Sequence, residues 1–303
     1  MNRAKGILIV GGSGALGTHL ALALRDHYKV YSTYHKNRIP VRGVTQIPLN
    51  VENRDWAKRV AYMAQPEVVI YVAGSNTLPP GEVHARNAEH VHASGAATIS
   101  MVSDILQPVF IYLSNSYVFD GSRGNYHETD TTVPSNALGK AKLSGENFIR
   151  SRTLNYVIIR SAPLLMRGNG YNLSQLDQIR MTLDAGKKIE LSNDELHNFA
   201  SVHGLLDLVR RVIETGVRKK VFHYGGLTKV TPYDMARSFA EKLGYDPRLV
   251  FSKKTTGRHF GPLDVPSEDY SLNFSQTVEG LKIKPLFLEE GLDLINQDLV
   301  TRT

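Results

Sequence analysis

The chain has 303 residues, of which 42% are hydrophobic, so it can bury a large core and is not a disordered or fibrous protein. It contains no cysteine, which excludes disulfides, thiolate nucleophiles and cysteine metal sites, and no metal site is predicted. The net charge of +7 comes from scattered Lys and Arg without interleaved aromatic residues, which favours a solvated basic face over a nucleic-acid surface. There is no membrane-length apolar run and no signal-peptide pattern, so we predict a cytoplasmic protein that does not bind membranes.

Short apolar runs alternate with longer amphipathic segments in the first half of the chain, which is the pattern of βαβ units. The predicted strands are 7–10, 29–34, 68–72, 109–113 and 156–160, and the predicted helices are 15–26, 53–63, 83–105 and 136–152. The second half alternates less cleanly, with helical patterns at 172–185, 203–215, 232–243 and 287–299 and a short apolar run at 221–224. The sequence therefore predicts an α/β fold with a Rossmann-type, doubly wound parallel sheet.

A glycine-rich turn follows the first predicted strand and leads directly into the first helix. Its glycines fit both G-x-G-x-x-G and G-x-x-G-x-x-G, and they let the main chain approach a pyrophosphate that the helix N-terminal amides would face. This requires the amides of residues 11–17 to be free. A turn that merely fits the pattern is the alternative, but the strand, turn and helix context favours a dinucleotide site. Its predicted members are Gly11, Ser13, Gly14, Ala15, Leu16 and Gly17.

The residues after the second predicted strand indicate which dinucleotide binds. An NAD site usually carries Asp or Glu there to hold the ribose 2′-hydroxyl. Here His35, Lys36 and Arg38 follow the strand, and no acid occurs before Glu52. A carboxylate would repel a 2′-phosphate, whereas these cations would neutralise it, so NADP(H) is favoured over NAD(H). The same cations would also suit an exposed loop.

Further motifs occur in both halves of the chain. They are Ser-Asn-Ser-Tyr-Val-Phe-Asp-Gly at 114–121, Tyr-His-Glu-Thr-Asp at 126–130, Pro-Ser-Asn-Ala-Leu-Gly-Lys-Ala-Lys-Leu-Ser-Gly-Glu at 134–146, Phe-His-Tyr-Gly-Gly at 222–226, Thr-Pro-Tyr-Asp-Met-Ala at 231–236 and Asp-Tyr-Ser-Leu-Asn at 269–273. Over almost the whole chain this series resembles the extended short-chain dehydrogenase/reductases. Within them it is similar to the dTDP-4-dehydrorhamnose reductase branch, which also includes the regulatory β subunit of methionine adenosyltransferase.

The resemblance implies a seven-stranded Rossmann core, a smaller C-terminal substrate lobe and an active site in the cleft between them. It implies an NADP(H)-binding domain at 1–165 and roughly 196–228, and a substrate lobe at roughly 166–195 and 229–303. It also implies cofactor contacts at Asn50, Val51, Val72, Ala73, Gly74 and Lys142. The implied nucleotide-sugar pocket consists of Arg160, Arg167, Asn169 and Tyr171. Its cations would hold a diphosphate, although solubility explains them almost as well.

The sequence departs from the family at the residue that carries the proton. In the family a Tyr-x-x-x-Lys pair shares one helix face, and the Tyr exchanges a proton with the substrate oxygen while hydride moves to or from the nicotinamide. Here Leu138 stands at the tyrosine position while Lys142 remains, and none of the 14 tyrosines has a lysine four residues later. Ser114 is kept, but Asn115 replaces the Ser or Thr that assists the carbonyl. Standard ketone reduction should therefore be strongly impaired.

Three side chains around this departure are open to more than one interpretation. His92, which titrates in the right range, and Tyr117, three residues after Ser114, are the candidate replacement acids, although a histidine on a helix is more often structural. Lys142 is either a retained ribose contact or an exposed helix cation. Glu146, one turn later, is predicted to pair with it.

Two functions from different classes follow from these residues. The first is an NADP(H)-binding, reductase-like or epimerase-like protein of a nucleotide sugar whose proton relay is lost or rebuilt. The second is a non-catalytic, cofactor-sensing subunit that binds a protein partner. An empty Rossmann scaffold is a third possibility. By analogy with the family, a homodimer through the helices at 83–105 and 136–152 is also predicted.

Overall fold

The computed structural model describes residues 5–75, 82–153, 155–254 and 268–300. Its strands are β1 (Gly6–Val10), β2 (Lys29–Tyr34), β3 (Thr45–Pro48), β4 (Val68–Tyr71), β5 (Val109–Asn115), β6 (Tyr156–Ser161), β7 (Leu164–Leu165), β8 (Ile189–Ser192), β9 (Glu195–Leu196), β10 (Ala200–Ser201), β11 (Lys220–Tyr224), β12 (Val250–Lys253) and β13 (Glu268–Asp269). Its α-helices are α1 (Ala15–Leu24), α2 (Arg54–Ala64), α3 (Glu82–Glu89), α4 (Ala96–Ser103), α5 (Ala137–Arg152), α6 (Gln175–Asp184), α7 (Val202–Thr215), α8 (Pro232–Lys242), α9 (Ser275–Leu281) and α10 (Leu288–Val300).

The contacts divide the chain into two units. Over their described residues, unit 1 comprises Met1–Val118, Thr132–Arg160 and Leu206–Phe222, and unit 2 comprises Phe119–Thr131, Ser161–Leu205 and His223–Thr303. The predicted first domain included residues 119–131, 161–165, roughly 196–205 and 223–228, which the structure groups with unit 2. For the first of these segments the physical reason is long-range pairing, because Tyr126 forms a parallel bridge with Leu272. The roles predicted for the two domains stay predictions.

Seven strands form one sheet in the order β11-β6-β5-β4-β1-β2-β3. The pairings of β1 with β2 and β4, of β2 with β3 and of β4 with β5 are parallel. This confirms the predicted Rossmann-type, doubly wound sheet. The strand order reverses between β1 and β4, and open α/β sheets bind ligands at such a switch point, beyond the carboxyl ends of the strands.

Apolar patterning accounts for the centre of unit 1. All five residues of β1 are buried, as expected for a strand covered on both faces of a parallel sheet. In α2 the buried residues recur with helical spacing, and they belong to the core cluster beside β1 and β4: Ala57, Val60, Ala61 and Ala64. The Asn53 side chain begins this helix by accepting a hydrogen bond from the Trp56 amide (2.9 Å).

The predicted helix at 83–105 is interrupted in the structure. It consists of α3, a π-helical turn at His90–Gly95, and α4. Strand β5 extends two residues beyond its predicted end, so Ser114 and Asn115 belong to the strand. The prediction missed β3 and α9 as well as the short strands β7 to β10, β12 and β13. Strand β3 has four residues with only Ile47 buried, and α9 has seven residues and no side-chain cap.

Unit 2 has short elements whose starts are set by local sequence. Its three two-stranded pairings, β7 with β10, β8 with β12 and β9 with β13, are parallel. Helices α6 and α8 both begin with complete capping boxes, Ser174 with Asp177 and Thr231 with Asp234. Among the helices of the described residues, none is long and apolar enough to cross a membrane.

Candidate functional site

Three of the four glycines between β1 and the first turn of α1 leave no room for a side chain. Gly11 has a φ of +90°, and a Cβ built there would lie 2.5 Å from the Ala73 Cα. A Cβ on Gly12 would lie 1.9 Å from Ser32 Oγ, and one on Gly17 would lie 2.3 Å from the Gly11 carbonyl oxygen. The glycine spacing is therefore required by packing against β2, the end of β4 and the turn itself.

Thr33 on β2 holds this turn in place. Its side-chain Oγ1 accepts a hydrogen bond from the Gly11 amide (3.1 Å), and its carbonyl oxygen accepts one from the Ser13 amide (3.2 Å). The Gly14 amide in turn donates to the Gly11 carbonyl (3.0 Å). The expectation that all amides of residues 11–17 are free is therefore wrong for three of them, because the turn uses them to fix its own shape.

The amides that fit an anion are those at the start of α1. Gly14 is the N-cap and offers no side-chain cap, and the first turn of the helix contains no acidic residue. First-turn amides have no intrahelical acceptor and lie at the positive end of the helix dipole. Ala15 and Leu16 contribute such amides, so this end fits a pyrophosphate through the main chain.

The predicted 2′-phosphate cations lie directly after β2. His35, Lys36 and Arg38 are all exposed. The Arg38 Nε donates to Gln46 Oε1 (3.0 Å), which holds that guanidinium against β3. The first acid after the strand, Glu52, pairs with His90 Nδ1 at 2.9 Å. The loop after β2, which belongs to unit 1, is therefore positively charged, as the predicted 2′-phosphate contact requires.

The two residues predicted after β3 lie in different environments. Asn50 is exposed, and its Oδ1 accepts a hydrogen bond from the Glu52 amide (3.1 Å). Val51 is buried, and it lies where a Cβ on Gly95 would come within 2.6 Å of its Cγ2. Val51 therefore shapes the core beneath the π-helical turn, while the role of Asn50 toward a cofactor stays a prediction.

The segment after β4 carries a histidine ring directly above it. Gly74 has a φ of +100°, and a Cβ there would lie 2.3 Å from His92 Cε1. The buried His92 ring makes a hydrogen bond with the Ser75 carbonyl through Nε2 (2.9 Å). Burial, together with the nearby Lys142 charge, lowers the pKa of His92 to about 3. The ring is neutral at neutral pH, which favours the structural interpretation of His92 over that of a replacement acid.

Leu138 and Lys142 are both buried on α5, one turn apart. The Lys142 Nζ donates to the Leu113 carbonyl at the end of β5 (2.8 Å). Burial lowers the pKa of Lys142 to about 7, and the charge of Glu146 opposes this shift. The interpretation of Lys142 as an exposed helix cation is therefore wrong. Lys142 contacts the end of β5, the strand that carries the Ser/Thr position of the family. The aliphatic side chain of Leu138 occupies the tyrosine position.

Glu146 and Arg160 form a buried ion pair between α5 and β6. Their side chains are 0% and 2% exposed, and Arg160 Nη2 lies 2.7 Å from Glu146 Oε2. The Arg160 Nε also bonds both carboxylate oxygens at 3.1 Å. The prediction that Glu146 pairs with Lys142 is therefore wrong, and the guanidinium of Arg160 is committed to the fold rather than presented to a diphosphate.

The end of β5 carries buried polar atoms that lack partners within the described chain. They are Ser114 Oγ, Asn115 Nδ2 and Ser116 Oγ. The other amide atom of Asn115, Oδ1, accepts from the Tyr117 amide (3.2 Å). Buried polar groups are normally hydrogen-bonded, so such a group of orphaned atoms fits the approach of a polar ligand. Ser114 and Asn115 thus lie where the sequence predicted them, beside Lys142.

The remaining predicted substrate residues lie in unit 2, on the loop before α6. The Arg167 Nε pairs with Asp177 Oδ1 at 2.8 Å. The Asn169 Oδ1 accepts from the Asn172 amide at 2.9 Å. Tyr171 is 72% exposed. Asp177, at the start of α6, thus offsets the charge of Arg167, the cation of the predicted substrate set that belongs to unit 2. The sugar-binding role of the loop stays a prediction.

Sequence reasoning missed three side chains that shape unit 1. Thr33 holds the glycine turn, as described above. Tyr71 and Tyr112 reach from β4 and β5 to the carbonyls of the π-helical turn. A signal for them was present, because Gly95 and Gly145 stand in helices where glycine is otherwise unfavourable. No group of three or more His, Asp or Glu placed to hold a metal occurs in the part of the chain that the structure describes.

The doubly wound sheet, the glycine turn at its switch point and the Ser114 and Lys142 positions define a short-chain dehydrogenase/reductase-type protein. More specifically, residues 5–269 match the model described as the RmlD substrate binding domain, and the chain belongs to this family. The match confirms the resemblance found in the sequence motifs. It spans both units of the chain.

Curated relatives cover most of the chain at low identity. The chain is 27% identical over 251 residues to a probable low-salt glycan biosynthesis reductase of Haloferax volcanii, covering 80% of this chain and 82% of the relative. It is 25% identical to a dTDP-4-dehydrorhamnose reductase of Mycobacterium tuberculosis, covering 89% and 84%. It is 24% identical to the methionine adenosyltransferase 2 subunit beta of Bos taurus, covering 78% and 71%.

Solved structures share the fold over nearly the whole chain. A dTDP-4-dehydrorhamnose reductase of Bacillus anthracis, solved with NADP, has a TM-score of 0.82 at 19% identity and covers 98% of this chain and 99% of its own. An enzyme of Bordetella bronchiseptica, solved with NAD⁺, has a TM-score of 0.78 at 20% identity and covers 95% and 96%. At these identities the likeness establishes the fold.

Proposed function

We propose that this chain binds NADP(H) and a nucleotide sugar of the dTDP-4-keto class, as a reductase-like protein without the tyrosine relay. The observation that carries the proposal is the glycine turn, fixed by Thr33, at the uncapped N-terminus of α1. Backbone amides at a helix N-terminus recognise a pyrophosphate without any side chain. The reductase names among the relatives support the substrate class.

Charge supports NADP(H) over NAD(H). Lys36 and Arg38 are exposed at the end of β2, and the first following acid, Glu52, is paired with His90. Unit 1 as a whole has 21 Lys and Arg against 10 Asp and Glu. A positive field raises the local concentration of a polyanionic ligand, and local cations neutralise a 2′-phosphate.

The site retains groups that hold a dinucleotide and lacks the group that moves a proton. Bound NADPH would supply a hydride to a carbonyl carbon. Lys142 would hold the nicotinamide ribose, and the Ser114 hydroxyl would donate a hydrogen bond to a substrate oxygen. Leu138 has no proton to exchange. Because a positioned general acid contributes typically 10²- to 10⁴-fold, reduction by the wild-type protein is expected to be slower by about that factor than with tyrosine at this position.

Restoring the tyrosine tests the missing relay. We expect Leu138→Tyr to raise the rate of NADPH oxidation with a dTDP-4-keto sugar by about 10²-fold or more. The phenol would lie one turn before Lys142, whose charge favours the phenolate. Leu138→Phe is the matched control, because it adds the ring without the hydroxyl. Equal rates in wild type and Leu138→Tyr would show that the protein does not depend on this relay.

Dinucleotide binding itself is tested separately by calorimetry with NADP⁺ and NAD⁺. Trp56 on α2 provides a fluorescence signal within unit 1. We expect NADP⁺ to bind more tightly than NAD⁺. If neither nucleotide binds, the cofactor proposal fails, and the chain would be a Rossmann scaffold without ligand.

A second candidate function is a non-catalytic subunit that senses the cofactor and binds a protein partner. The buried aliphatic side chain of Leu138 and the methionine adenosyltransferase β-subunit relative favour it. It predicts NADP(H) binding without turnover and co-purification with a stable partner. Measurable NADPH oxidation with a sugar nucleotide, combined with the absence of a stable partner, would reject it.

A further inference from the structure

Two buried tyrosines hold the π-helical turn at His90–Gly95. Tyr71 Oη donates to the Val91 carbonyl (2.5 Å), and Tyr112 Oη donates to the His92 carbonyl (2.8 Å). A π-helical turn is wider than an α-helical one, and such turns are frequent at functional sites. The two hydroxyls stabilise this turn from below, because both tyrosines rise from the sheet.

The surrounding sequence leaves space for these hydroxyls. A Cβ on Gly95 would lie 2.7 Å from Tyr71 Oη, and a Cβ on Gly145 would lie 2.6 Å from Tyr112 Oη. Tyr71 and Tyr112 are register partners on β4 and β5, and their rings stack with centroids 5.8 Å apart. We call this pair the tyrosine clamp. Three features together fix the positions of the two side chains: the strand register, the ring stacking and the space left by the two helical glycines.

The clamp holds the backbone of the turn that carries His92, and the contact of the ring with Ser75 sets which ring nitrogen carries the proton. A carbonyl oxygen only accepts hydrogen bonds, so the contact with Ser75 requires the proton on Nε2. Since the ring is neutral, Nδ1 then carries a lone pair and acts as an acceptor. This Nδ1 is buried and has no hydrogen-bond partner within the described residues. A ligand that satisfies it must donate a hydrogen.

The groups around His92 narrow the chemistry of that ligand. The Lys142 Nζ lies 5.5 Å from the centroid of the Tyr112 ring, whose hydroxyl bonds the His92 carbonyl, and its charge helps to lower the pKa of His92. Ser114 Oγ at the end of β5 is a second orphaned atom. The other ionisable groups that act on this cluster are Glu146, which favours the Lys142 charge, and Glu89, which acts on Tyr112. A group beside both Nδ1 and an ammonium must donate to one and accept from the other. A hydroxyl or a carboxamide does both.

We propose that His92, positioned by the tyrosine clamp, accepts a hydrogen bond through Nδ1 from the nicotinamide half of the bound dinucleotide. The donor is a hydroxyl of the nicotinamide ribose or the carboxamide N–H. The inference rests on the proposed dinucleotide site. It adds to that site a histidine side chain that contacts the nicotinamide half, which the glycine turn does not contact.

Ligand fragments separate the two donors from a purely structural role. Calorimetry is done with NADP⁺, its 3-acetylpyridine analogue, which lacks the amide N–H, 2′-phospho-ADP-ribose, which lacks the nicotinamide, and adenosine 2′,5′-bisphosphate, which lacks that entire half. The variant is His92→Phe, which keeps a ring and removes the acceptor. His84→Phe, at an exposed position of α3, is the control. His92→Leu, which also lacks an acceptor, is the second variant if the Phe protein does not fold.

Each donor gives its own pattern of losses. We expect His92→Phe to bind NADP⁺ roughly tenfold more weakly and adenosine 2′,5′-bisphosphate as wild type does. If the carboxamide donates, the analogue and 2′-phospho-ADP-ribose are also unaffected. If the ribose hydroxyl donates, both lose roughly tenfold. Equal losses for all four ligands, or no loss for any, would overturn the inference. If the wild type binds none of them, the proposed cofactor site fails as well.

The positioning role of the clamp has its own readout. Tyr112→Phe keeps the stacked ring and removes the hydroxyl that bonds the His92 carbonyl. We expect the same ligand-selective loss, smaller than that of His92→Phe. In nuclear magnetic resonance spectra, the His92 Nδ1 signal should shift on NADP⁺ binding in wild type and shift less in this variant. An Nδ1 signal that does not move on NADP⁺ binding in wild type would overturn the contact.

Discussion

The two units differ most clearly in charge. Unit 1 has 21 Lys and Arg against 10 Asp and Glu, whereas unit 2 has 15 against 19. The whole net positive charge of the chain therefore resides in unit 1, which carries the glycine turn. In unit 2 the cation predicted for a diphosphate, Arg167, is paired with Asp177. The charge of unit 1 therefore favours the proposed anion site there, whereas anion binding in unit 2 would depend on individual side chains.

Two ion pairs, one from each unit, differ strongly in burial. In unit 1 the Glu146 and Arg160 pair is buried, and its two side chains are 0% and 2% exposed. In unit 2 the pair of Lys253 with Glu190 spans 3.8 Å, with side chains 59% and 64% exposed. Breaking a buried pair leaves an uncompensated charge in the core, whereas breaking an exposed pair leaves both charges in water. The same substitution should therefore have very different costs.

The largest expected effect is on the buried pair. We expect Glu146→Gln to lower the free energy of unfolding by about 3–5 kcal/mol, because Arg160 stays buried without its partner. Glu190→Gln is the matched control in unit 2 and should change it by less than about 1 kcal/mol. Urea unfolding followed by Trp56 fluorescence and circular dichroism measures both. If both substitutions changed the free energy of unfolding by less than about 1 kcal/mol, the expected difference between the buried and the exposed pair would be wrong.

Lys142 should make the stability of the protein depend on pH. Its pKa falls from an ordinary 10.5 to about 7 on folding, so between these values the folded protein binds fewer protons than the unfolded chain. Stability therefore rises with pH across that window, by up to about 5 kcal/mol, and the penalty is complete below pH 7. We expect Lys142→Met to lack this rise. Lys140→Met, at an exposed position of the same helix, should retain it; a rise that persists in Lys142→Met would contradict the assignment.

Sequence patterns predicted the centre of unit 1 because each signal there is local. The β1 run, the glycine turn and α1 are contiguous, and the structure confirms the sheet they belong to. Lys142 could be singled out because it lies four residues after Leu138. Its burial and its bond to Leu113 could not be predicted, since these depend on how α5 packs against β5.

Long-range pairing accounts for the predictions that failed. The sequence placed Glu146 beside Lys142 by helical spacing, but a guanidinium from β6 reaches the carboxylate with a bidentate geometry that an ammonium lacks. The turn amides were expected to be free, but a hydroxyl 22 residues later, on Thr33, accepts from one of them. Neither partner is visible from local spacing.

The glycine turn gives a sharper test of unit 1. We expect Gly11→Ala to weaken NADP⁺ binding by about tenfold or more, because a positive φ and a Cβ 2.5 Å from the Ala73 Cα both oppose alanine. Gly43→Ala is the control, since Gly43 has a φ of +82° but nothing within 4 Å of its Cβ position. Calorimetry with NADP⁺ measures the difference. If Gly11→Ala binds as wild type does, the turn is not the binding site.

The smallest expected effect concerns the choice between the two dinucleotides. Lys36→Gln should weaken NADP⁺ binding a few-fold, equivalent to about 0.5–1 kcal/mol, because an exposed cation facing a phosphate is screened by water and salt. Binding of NAD⁺, which has no 2′-phosphate, should not change. Lys58→Gln is the control, an exposed lysine of unit 1 on α2. If Lys58→Gln weakens NADP⁺ as much as Lys36→Gln does, the preference arises from the overall charge of unit 1. If only Lys36→Gln does so, the loop after β2 reads the phosphate directly.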